Sequence, residues 1–206
     1  MPRVAYSDIE REQVRLSLIT TGLDLMIKQG VQHTTVEQIY KKVGISRTFF
    51  YSFFPSKEDL IVEALYLQQP QIIAYAEKLM NDAALSWEEG AERFLHSCCY
   101  GEKYGIAVLT IEEQQLLFKR LSEESRQAFR EKQRGLIRSI LIRFGIDADA
   151  EQINLIFNLF LMLLATCRAL PDTLPMLIPE AAGRTVEFQM NALVNYLAKL
   201  KKGTGD

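Results

Sequence analysis

Apolar residues recur at helical spacing along almost the whole chain. Val36, Ile39, Tyr40 and Val43 stand at i, i+3, i+4 and i+7 and predict a helix of about two turns with one apolar face. An earlier stripe of the same kind predicts a helix from about residue 8 to residue 29. The alternating pattern typical of β-strands occurs nowhere in the sequence, so we expect an all-α protein.

The polar residues that flank the stripe at 36–43 predict where that helix begins and ends. Thr35 is followed three residues later by Gln38, the spacing of a capping box, in which each side chain bonds a free amide at the helix start. Gly44 follows Val43, and glycine readily adopts the left-handed conformation that ends many helices. A short helix with a tight turn after it is therefore predicted.

A second short helix is predicted directly after this turn. Ser46 is a favourable N-cap for a helix from Arg47 to about Phe53, and Pro55 prevents that helix from continuing. Ser56 is then placed to cap another helix. Two short helices joined by a tight turn, over about residues 34–54, predict a helix-turn-helix.

The remainder of the chain predicts a larger helical body. We expect residues 7–54 to form a three-helix unit within a helix-turn-helix domain of residues 1–66, and residues 67–206 to form a second helical domain. Pro70 is expected to kink or break the helix that Ser56 opens. Residues 106–120 are predicted to be helical with one apolar face.

The last two predicted helices each carry an apolar seam with spacings of 3 and 4, as in packed antiparallel helices. These seam residues, which we expect to form a dimer interface, are Ile153, Phe157, Phe160 and Leu164 in the first helix and Val186, Met190, Leu193 and Leu197 in the second. The alternative is that both seams face the core of the monomer. Residues 155–164 are apolar nearly all round, which is more than a one-sided core contact needs and favours the dimer.

Charge is distributed unevenly along a chain whose formal net charge is −2. From residue 38 to residue 57 the charged side chains are all basic: Lys41, Lys42, Arg47 and Lys57. A net negative charge argues against a protein that coats nucleic acid, whereas a local basic segment suits a local phosphate contact. The helix-turn-helix is therefore the expected site of contact with DNA, and its use as a protein-interaction module is the alternative.

Cysteine content and hydropathy indicate a cytoplasmic protein. The three cysteines, Cys98, Cys99 and Cys167, do not make a disulfide framework. The first thirty residues have no apolar segment of the kind found in signal peptides. The most apolar run, residues 159–165, is shorter than the roughly 20 residues that a membrane-spanning helix needs, so we expect no membrane span.

Residues 30–60 resemble the N-terminal signature of TetR-family transcriptional regulators. The matching positions are Gly30, Thr34–Thr35, Ile39–Tyr40, Val43–Gly44–Ile45–Ser46, Tyr51 and Phe54–Pro55–Ser56–Lys57–Glu58–Asp59–Leu60. The resemblance covers roughly residues 10–66. The chain departs from the family pattern at three positions. The family commonly has alanine where this chain has Tyr40, glycine where it has Thr48, and a small residue where it has Phe49.

The resemblance implies a homodimeric regulator, usually a repressor, that binds a pseudo-palindromic DNA operator and is released by a small molecule. The residues expected at the DNA are Thr35, Ser46, Arg47, Thr48, Phe49, Tyr51, Ser52 and Lys57. Arg47 can donate two hydrogen bonds to guanine in the major groove. Phe49 can pack on a thymine methyl group or turn inward. The alternative function is a helical ligand-binding or scaffold dimer that no longer reads DNA.

Aromatic and sulfur-containing side chains in the second half suggest where an apolar or aromatic effector would bind. The candidates for the lining of such a pocket are Phe94, Cys98, Tyr104, Phe118 and Phe157. His96, Cys98 and Cys99 could be interpreted as a metal or redox site, but they do not share one helix face, and buried cysteine is usually a small apolar residue. We expect no metal, no cofactor and no enzymatic activity, because the sequence has no phosphate-binding loop, nucleophile elbow or metal-ligand spacing.

Overall fold

The computed structural model describes residues 6–101, 105–170 and 178–203, and within these ranges all regular structure is helical. The α-helices are α1 (Asp8–His33), α2 (Val36–Val43), α3 (Arg47–Tyr51), α4 (Lys57–Met80), α5 (Trp87–Cys99), α6 (Ile111–Arg120), α7 (Glu123–Arg143), α8 (Ala150–Ala169) and α9 (Ala182–Gly203). A 3₁₀ turn, Pro179–Ala181, precedes α9. The predicted all-α fold is confirmed.

Local capping explains where the N-terminal helices begin. Ser7, Thr35 and Ser56 are the N-caps of α1, α2 and α4, and each closes a full capping box with the residue three positions later. Gly30 interrupts the helical backbone of α1 with a φ of 78°, so the last turn of that helix changes direction. This change of direction carries the chain from α1 into the helix-turn-helix.

The structure corrects two predictions about helix boundaries. Helix α4 continues through Pro70, which lies on an exposed face, so of the predicted kink or break the break does not occur. Residues 106–110 are not helical, and α6 begins only at Ile111. The backbone at Ala107 is instead held by the side chain of Gln68, which accepts from its N–H and donates to its carbonyl, both at 2.9 Å.

The buried apolar residues form two clusters. The first joins α1–α3 and the first half of α4 to residues of α6, α7 and the segment before α6, among them Ala107, Leu117 and Phe129. The second joins the end of α4 to α5, α7, α8 and α9. Because α4 and α7 contribute to both clusters, the N-terminal unit packs directly against the body through apolar side chains.

The two apolar seams face the core of their own chain. Ile153, Leu164, Val186, Met190, Leu193 and Leu197 are buried in the second cluster, and Phe157 and Phe160 are partly buried against it. Packing within one chain therefore accounts for these side chains. This packing favours the alternative that the spacing left open, and the assignment of these residues to a subunit interface stays a prediction.

A different face of α8 is apolar and exposed. Leu155, Leu159 and Met162 are 46%, 38% and 68% exposed and stand at i, i+4 and i+7 on one stripe. By length and composition α8 could also cross a membrane, and 28% of its most apolar window is buried in the protein. The buried residues on the opposite face, including Ile153 and Leu164, show that the helix belongs to the core of this body.

Candidate nucleic-acid interface

The turn between α2 and α3 has the geometry that its sequence predicts. Gly44 adopts a left-handed conformation with φ 80° and ψ 29°. Its N–H and that of Ile45 each donate to the carbonyl of Tyr40, both at 3.0 Å, which satisfies the end of α2. Ser46 then caps α3 by accepting from the N–H of Phe49 at 3.2 Å. Two short helices are thereby held at a fixed angle over a turn of three residues.

Helix α3 presents a polar surface and buries one aromatic side chain. Phe50 is completely buried and anchors α3 in the N-terminal core. Arg47, Thr48, Tyr51 and Ser52, which the sequence assigns to the DNA contact, are all exposed. The guanidinium carbon of Arg47 lies 5.8 Å from the centre of the Tyr51 ring. The exposed surface of α3 thus combines a cation able to fork onto a base edge with hydroxyl groups one turn further along.

Phe49 is part of an aromatic cluster at the edge of α3. Its ring centre is 4.7 Å from that of Tyr6 and 5.0 Å from that of Phe53. The guanidinium of Arg11 lies over both phenylalanine rings, at 5.7 Å from Phe49 and 4.8 Å from Phe53. Phe49 is half-buried and its ring packs against protein, which corresponds to the inward of the two orientations considered for it.

Tyr6 and Arg11 are residues beside α3 that the sequence did not single out. Both come from the beginning of the chain, whereas the sequence places the reading surface in residues 34–60. A usable signal did exist, since Arg11 and Arg15 stand four residues apart on one face of α1. Only the packing of α1 against α3 shows that Arg11 lies next to the expected DNA surface.

The hydroxyl groups at the helix ends are engaged in capping. Thr35 accepts from the N–H of Gln38 at 3.2 Å, and Ser52 donates to the carbonyl of Phe49 at 2.7 Å. With the bond that Ser46 accepts, these contacts fix the starts and ends of α2 and α3. Thr35 remains exposed at the start of α2, where the helix dipole favours an anion.

Two of the four basic side chains in the basic segment have partners within the chain. Lys57 donates from Nζ to the carbonyl of Val31 at 2.6 Å, and partial burial lowers the pKa of this ammonium group. Lys41 pairs with Glu37 at 2.5 Å, and the hydrogen bond from Lys41 lowers the pKa of that carboxyl group. The ammonium of Lys57 is thus directed at the end of α1, so a contact with phosphate would have to use its remaining donors. Lys42 and Arg47 are exposed.

An apolar cavity of about 160 Å³ lies among α4, α5, α6, α7, α8 and the segment before α6. Four of the five residues predicted for a ligand pocket line it: Phe94, Cys98, Phe118 and Phe157. The fifth, Tyr104, lies outside the described residues. The lining has few polar side chains. Those that α6 and α7 contribute are Gln114, Arg130 and Gln133.

One wall of this cavity is connected by hydrogen bonds to the N-terminal unit. Residues 106–109 and α6 contribute to the wall, and Gln68 fixes that segment to α4. Glu113 of α6 accepts from the N–H of Thr110 and from the N–H of Gln32 at the end of α1, both at 2.8 Å. Arg120, at the end of α6, pairs at 2.7 Å with Glu58 in the first turn of α4. Glu113 and Glu58 are both buried, so both carboxylates are largely shielded from water.

The cluster of His96, Cys98 and Cys99 is not arranged as a metal site. Both cysteines are buried, whereas His96 is exposed and its ring packs 4.5 Å from that of Tyr100. Among the described residues no group of three or more His, Cys, Asp or Glu side chains could hold a metal ion.

Comparison with known proteins identifies the N-terminal unit. Residues 18–64 match the family model described as bacterial regulatory proteins, tetR family. No curated protein matches the chain significantly.

Solved structures share the fold of the whole chain. A TetR transcriptional regulator from Rhodococcus sp. RHA1 is 16% identical with a TM-score of 0.59, over 91% of this chain and 97% of its own. A transcriptional regulator from Streptomyces coelicolor A3(2) is 18% identical with a TM-score of 0.53, over 88% and 98% of the two chains. A TetR-family regulator from Pectobacterium atrosepticum is 19% identical with a TM-score of 0.50, over 96% and 97%. Residues 18–64 thus match the tetR family of bacterial regulatory proteins, and the whole chain shares the fold of these TetR-family regulators.

Proposed function

We propose that this protein is a cytoplasmic, homodimeric repressor that binds a pseudo-palindromic DNA operator and releases it when a small apolar molecule binds. The observation that carries the proposal is the surface of α3, where Arg47, Thr48 and Tyr51 are exposed at the end of a firmly capped helix-turn-helix. A recognition helix of this kind places its N-terminal residues against base edges in the major groove. Arg47 is the residue suited to guanine.

The positions assigned to DNA contacts have different roles in this proposal. Thr48 and Tyr51 flank Arg47 on the exposed surface, and Thr35 marks the start of α2, which suits a phosphate oxygen. Phe49 supports the edge of α3 through its packing against Tyr6 and is not assigned to a base. Specificity should therefore depend on Arg47 far more than on Phe49.

The second subunit would cover the exposed stripe of α8. Leu155, Leu159 and Met162 form a continuous apolar surface, and Phe188 of α9 is 75% exposed. Exposed apolar surfaces of this kind mark interfaces between proteins. A twofold axis beside α8 would pair identical stripes, as a symmetric dimer requires, and would set two recognition helices toward successive half-sites of the operator.

The effector proposed for the cavity is a small, uncharged and mainly apolar molecule. The volume of about 160 Å³ is close to that of the roughly 150 Å³ apolar cavity known to bind benzene, so a single substituted ring is the size expected. The side chains of Gln114 and Gln133 could bond one polar substituent at the edge of the cavity. Ionised groups are disfavoured in its apolar interior.

The contacts of α6 supply a route from this cavity to the recognition helices. An effector that displaces Leu117 or Phe118 would move α6, which is bound to α1 through Glu113 and to α4 through Arg120. Because α4 begins directly after the helix-turn-helix, its movement would change the spacing of the two reading heads. The effector would act by favouring a dimer that no longer matches successive half-sites.

The test is selection of bound sequences from a randomised duplex pool, with affinities measured at two salt concentrations. The proposal predicts enrichment of a palindrome, with binding that weakens steeply as salt rises because phosphate contacts release counterions. Weak, salt-sensitive binding to all sequences, or no binding, would contradict it. In that case the helical scaffold would be the better description of the protein.

A further inference from the structure

Three aromatic rings lie side by side at the edge of α3, and we call Tyr6, Phe49 and Phe53 the aromatic platform. The Phe49 ring is tilted by 32° against that of Tyr6 and stands at 68° to that of Phe53, with ring centres 4.7 and 5.0 Å apart. Phe49 and Phe53 are half-buried, whereas Tyr6 is 48% exposed. The platform therefore joins the beginning of the chain to the helix that is expected to read DNA.

The guanidinium of Arg11 is held by this platform. Its central carbon lies 4.8 Å from the centre of the Phe53 ring and 5.7 Å from that of the Phe49 ring, distances at which a cation is attracted by an aromatic face. This attraction requires no acceptor atom, so the five N–H donors of the guanidinium remain available for a ligand. The side chain of Arg11 is half-buried and retains access to solvent.

The acidic side chains that precede Arg11 are stabilised by the start of α1. Asp8 and Glu10 lie in the first turn, where free amides and the helix dipole favour negative charge. Glu10 also accepts from the N–H and the hydroxyl of the N-cap Ser7, each at 2.8 Å. Among the residues that the structure describes, no carboxylate forms an ion pair with Arg11, so its charge is available to an anion.

Arg11 lies where the phosphate backbone of a bound duplex would pass. An α-helix with its side chains is about 10–12 Å across and the major groove is about 12 Å wide, so residues at the edges of a helix in the groove face the phosphates. Phe49 occupies such an edge of α3, because Phe50 on one side of it is buried and Thr48 on the other is exposed. Tyr6 and Arg11 extend this edge from α1.

We propose that Arg11 is a DNA-backbone contact, whose guanidinium is held by Phe49 and Phe53 and binds a phosphate beside each half-site. This inference rests on the proposed function, since it requires α3 to enter the major groove. A contact with phosphate fixes the position and register of the recognition helix without reading the sequence. Phe49 then acts on DNA through Arg11 and not through a base.

Arg15 provides a matched control on the same helix, one turn after Arg11. Its guanidinium pairs with Glu63 at 2.9 Å and lies 3.6 Å from a carboxylate oxygen of Glu12. The charge of Arg15 is therefore compensated within the chain, and a phosphate would have to displace an acid to reach it. Arg15→Gln removes the same charge as Arg11→Gln but should leave the salt dependence of DNA binding unchanged.

The experiment measures fluorescence anisotropy on the palindromic duplex that selection with the wild-type chain enriches, at salt concentrations between about 50 and 200 mM. Each neutralised phosphate contributes about −0.9 to the slope of log affinity against log salt, so the two Arg11→Gln subunits of a dimer should reduce the steepness by about 1.8. The affinity advantage of the wild type should accordingly be roughly tenfold larger at the lowest than at the highest salt. Arg11→Lys should keep the wild-type slope.

Two further measurements distinguish a phosphate contact held by the platform from a general effect of charge. In Arg11→Gln the penalties for single-base changes in the palindrome should equal those of the wild type, because a phosphate contact reads no base. Phe49→Leu, which removes a ring but keeps an apolar side chain, should weaken binding about twofold to fivefold for each subunit. The same substitution in the Arg11→Gln background should cause no further loss.

The outcomes separate this inference from the function on which it rests. If the wild type enriches a palindrome but Arg11→Gln keeps the wild-type slope, or Arg15→Gln changes the slope equally, the inference is wrong and the proposed function stands. Altered base preference in Arg11→Gln would likewise overturn it. If no palindrome is enriched, both fail. Urea unfolding checks that the variants are folded, and if Phe49→Leu is not, the arginine variants decide.

Discussion

Replacing Arg120 with alanine tests how strongly the contact between α6 and α4 depends on one ion pair. The Glu58 side chain is only 6% exposed, whereas that of Arg120 is 57% exposed, and the two groups lie 2.7 Å apart. The substitution would leave a buried carboxylate without its cation. Removal of one partner from a fully buried pair costs about 3–5 kcal/mol. Because water screens the exposed guanidinium, we expect a loss of about 1–3 kcal/mol in the free energy of unfolding.

The chain offers a matched control on the same helix. Glu77 of α4 pairs with Arg143 of α7 at 3.3 Å, with side chains that are 51% and 41% exposed. Both charges of this pair remain in contact with water, so R143A should cost no more than about 1 kcal/mol. Urea unfolding followed by circular dichroism, at one fixed protein concentration, measures both losses.

A second substitution separates the buried charge from other effects of the change at Arg120. In the R120A background, Glu58→Gln removes the charge that has lost its partner and should recover part of the lost stability. Equal losses for R120A and R143A would refute the reasoning. So would an R120A/E58Q protein that is less stable than R120A.

Further predictions concern the packing of the N-terminal unit and the dimer. A Cβ atom on Gly22 would lie 2.5 Å from Cδ2 of the fully buried Leu60, so Gly22→Ala should destabilise the protein by about 1–3 kcal/mol in urea unfolding. A Cβ atom on Gly135 in α7 would meet only open space, so Gly135→Ala should leave the free energy of unfolding unchanged or raise it by up to about 1 kcal/mol. A larger loss of stability for Gly135→Ala than for Gly22→Ala would contradict this account of the packing. Leu159→Glu should give monomers in analytical ultracentrifugation, whereas Leu116→Glu, at a leucine of α6 that is more exposed, should leave the dimer intact. Dimers of the Leu159 variant would exclude the α8 stripe as the interface.

Local signals in the sequence were sufficient where neighbouring residues decide the structure. Capping boxes at Thr35 and Ser56 and the left-handed Gly44 involve contacts over three or four positions, so the helix-turn-helix could be predicted almost completely. Proline is also a local signal, yet α4 continues through Pro70. The lost hydrogen bond and the clash of the ring with the preceding turn do not break a long helix that packs along most of its length.

Contacts between distant segments could not be predicted from spacing. A seam such as that from Ile153 to Leu164 shows which residues share a helix face but not which surface covers them, and here the core of the same chain does so. Phe49 has the position of a base-reading residue, yet Tyr6 from the beginning of the chain packs against it.

The central claim is that α3 reads DNA through Arg47, and one pair of affinities tests it most directly. The measurement compares the affinities of the Arg47→Ala and Arg93→Ala variants for the duplex that selection enriches. Arg93→Ala is the control, because it removes the same charge from an exposed position of α5. We predict that the Arg47 variant loses about 1–3 kcal/mol of binding free energy and discriminates less at one base position, while the Arg93 variant binds like the wild type. Equal affinity of the two variants for that duplex, with unchanged base preference, would contradict the claim.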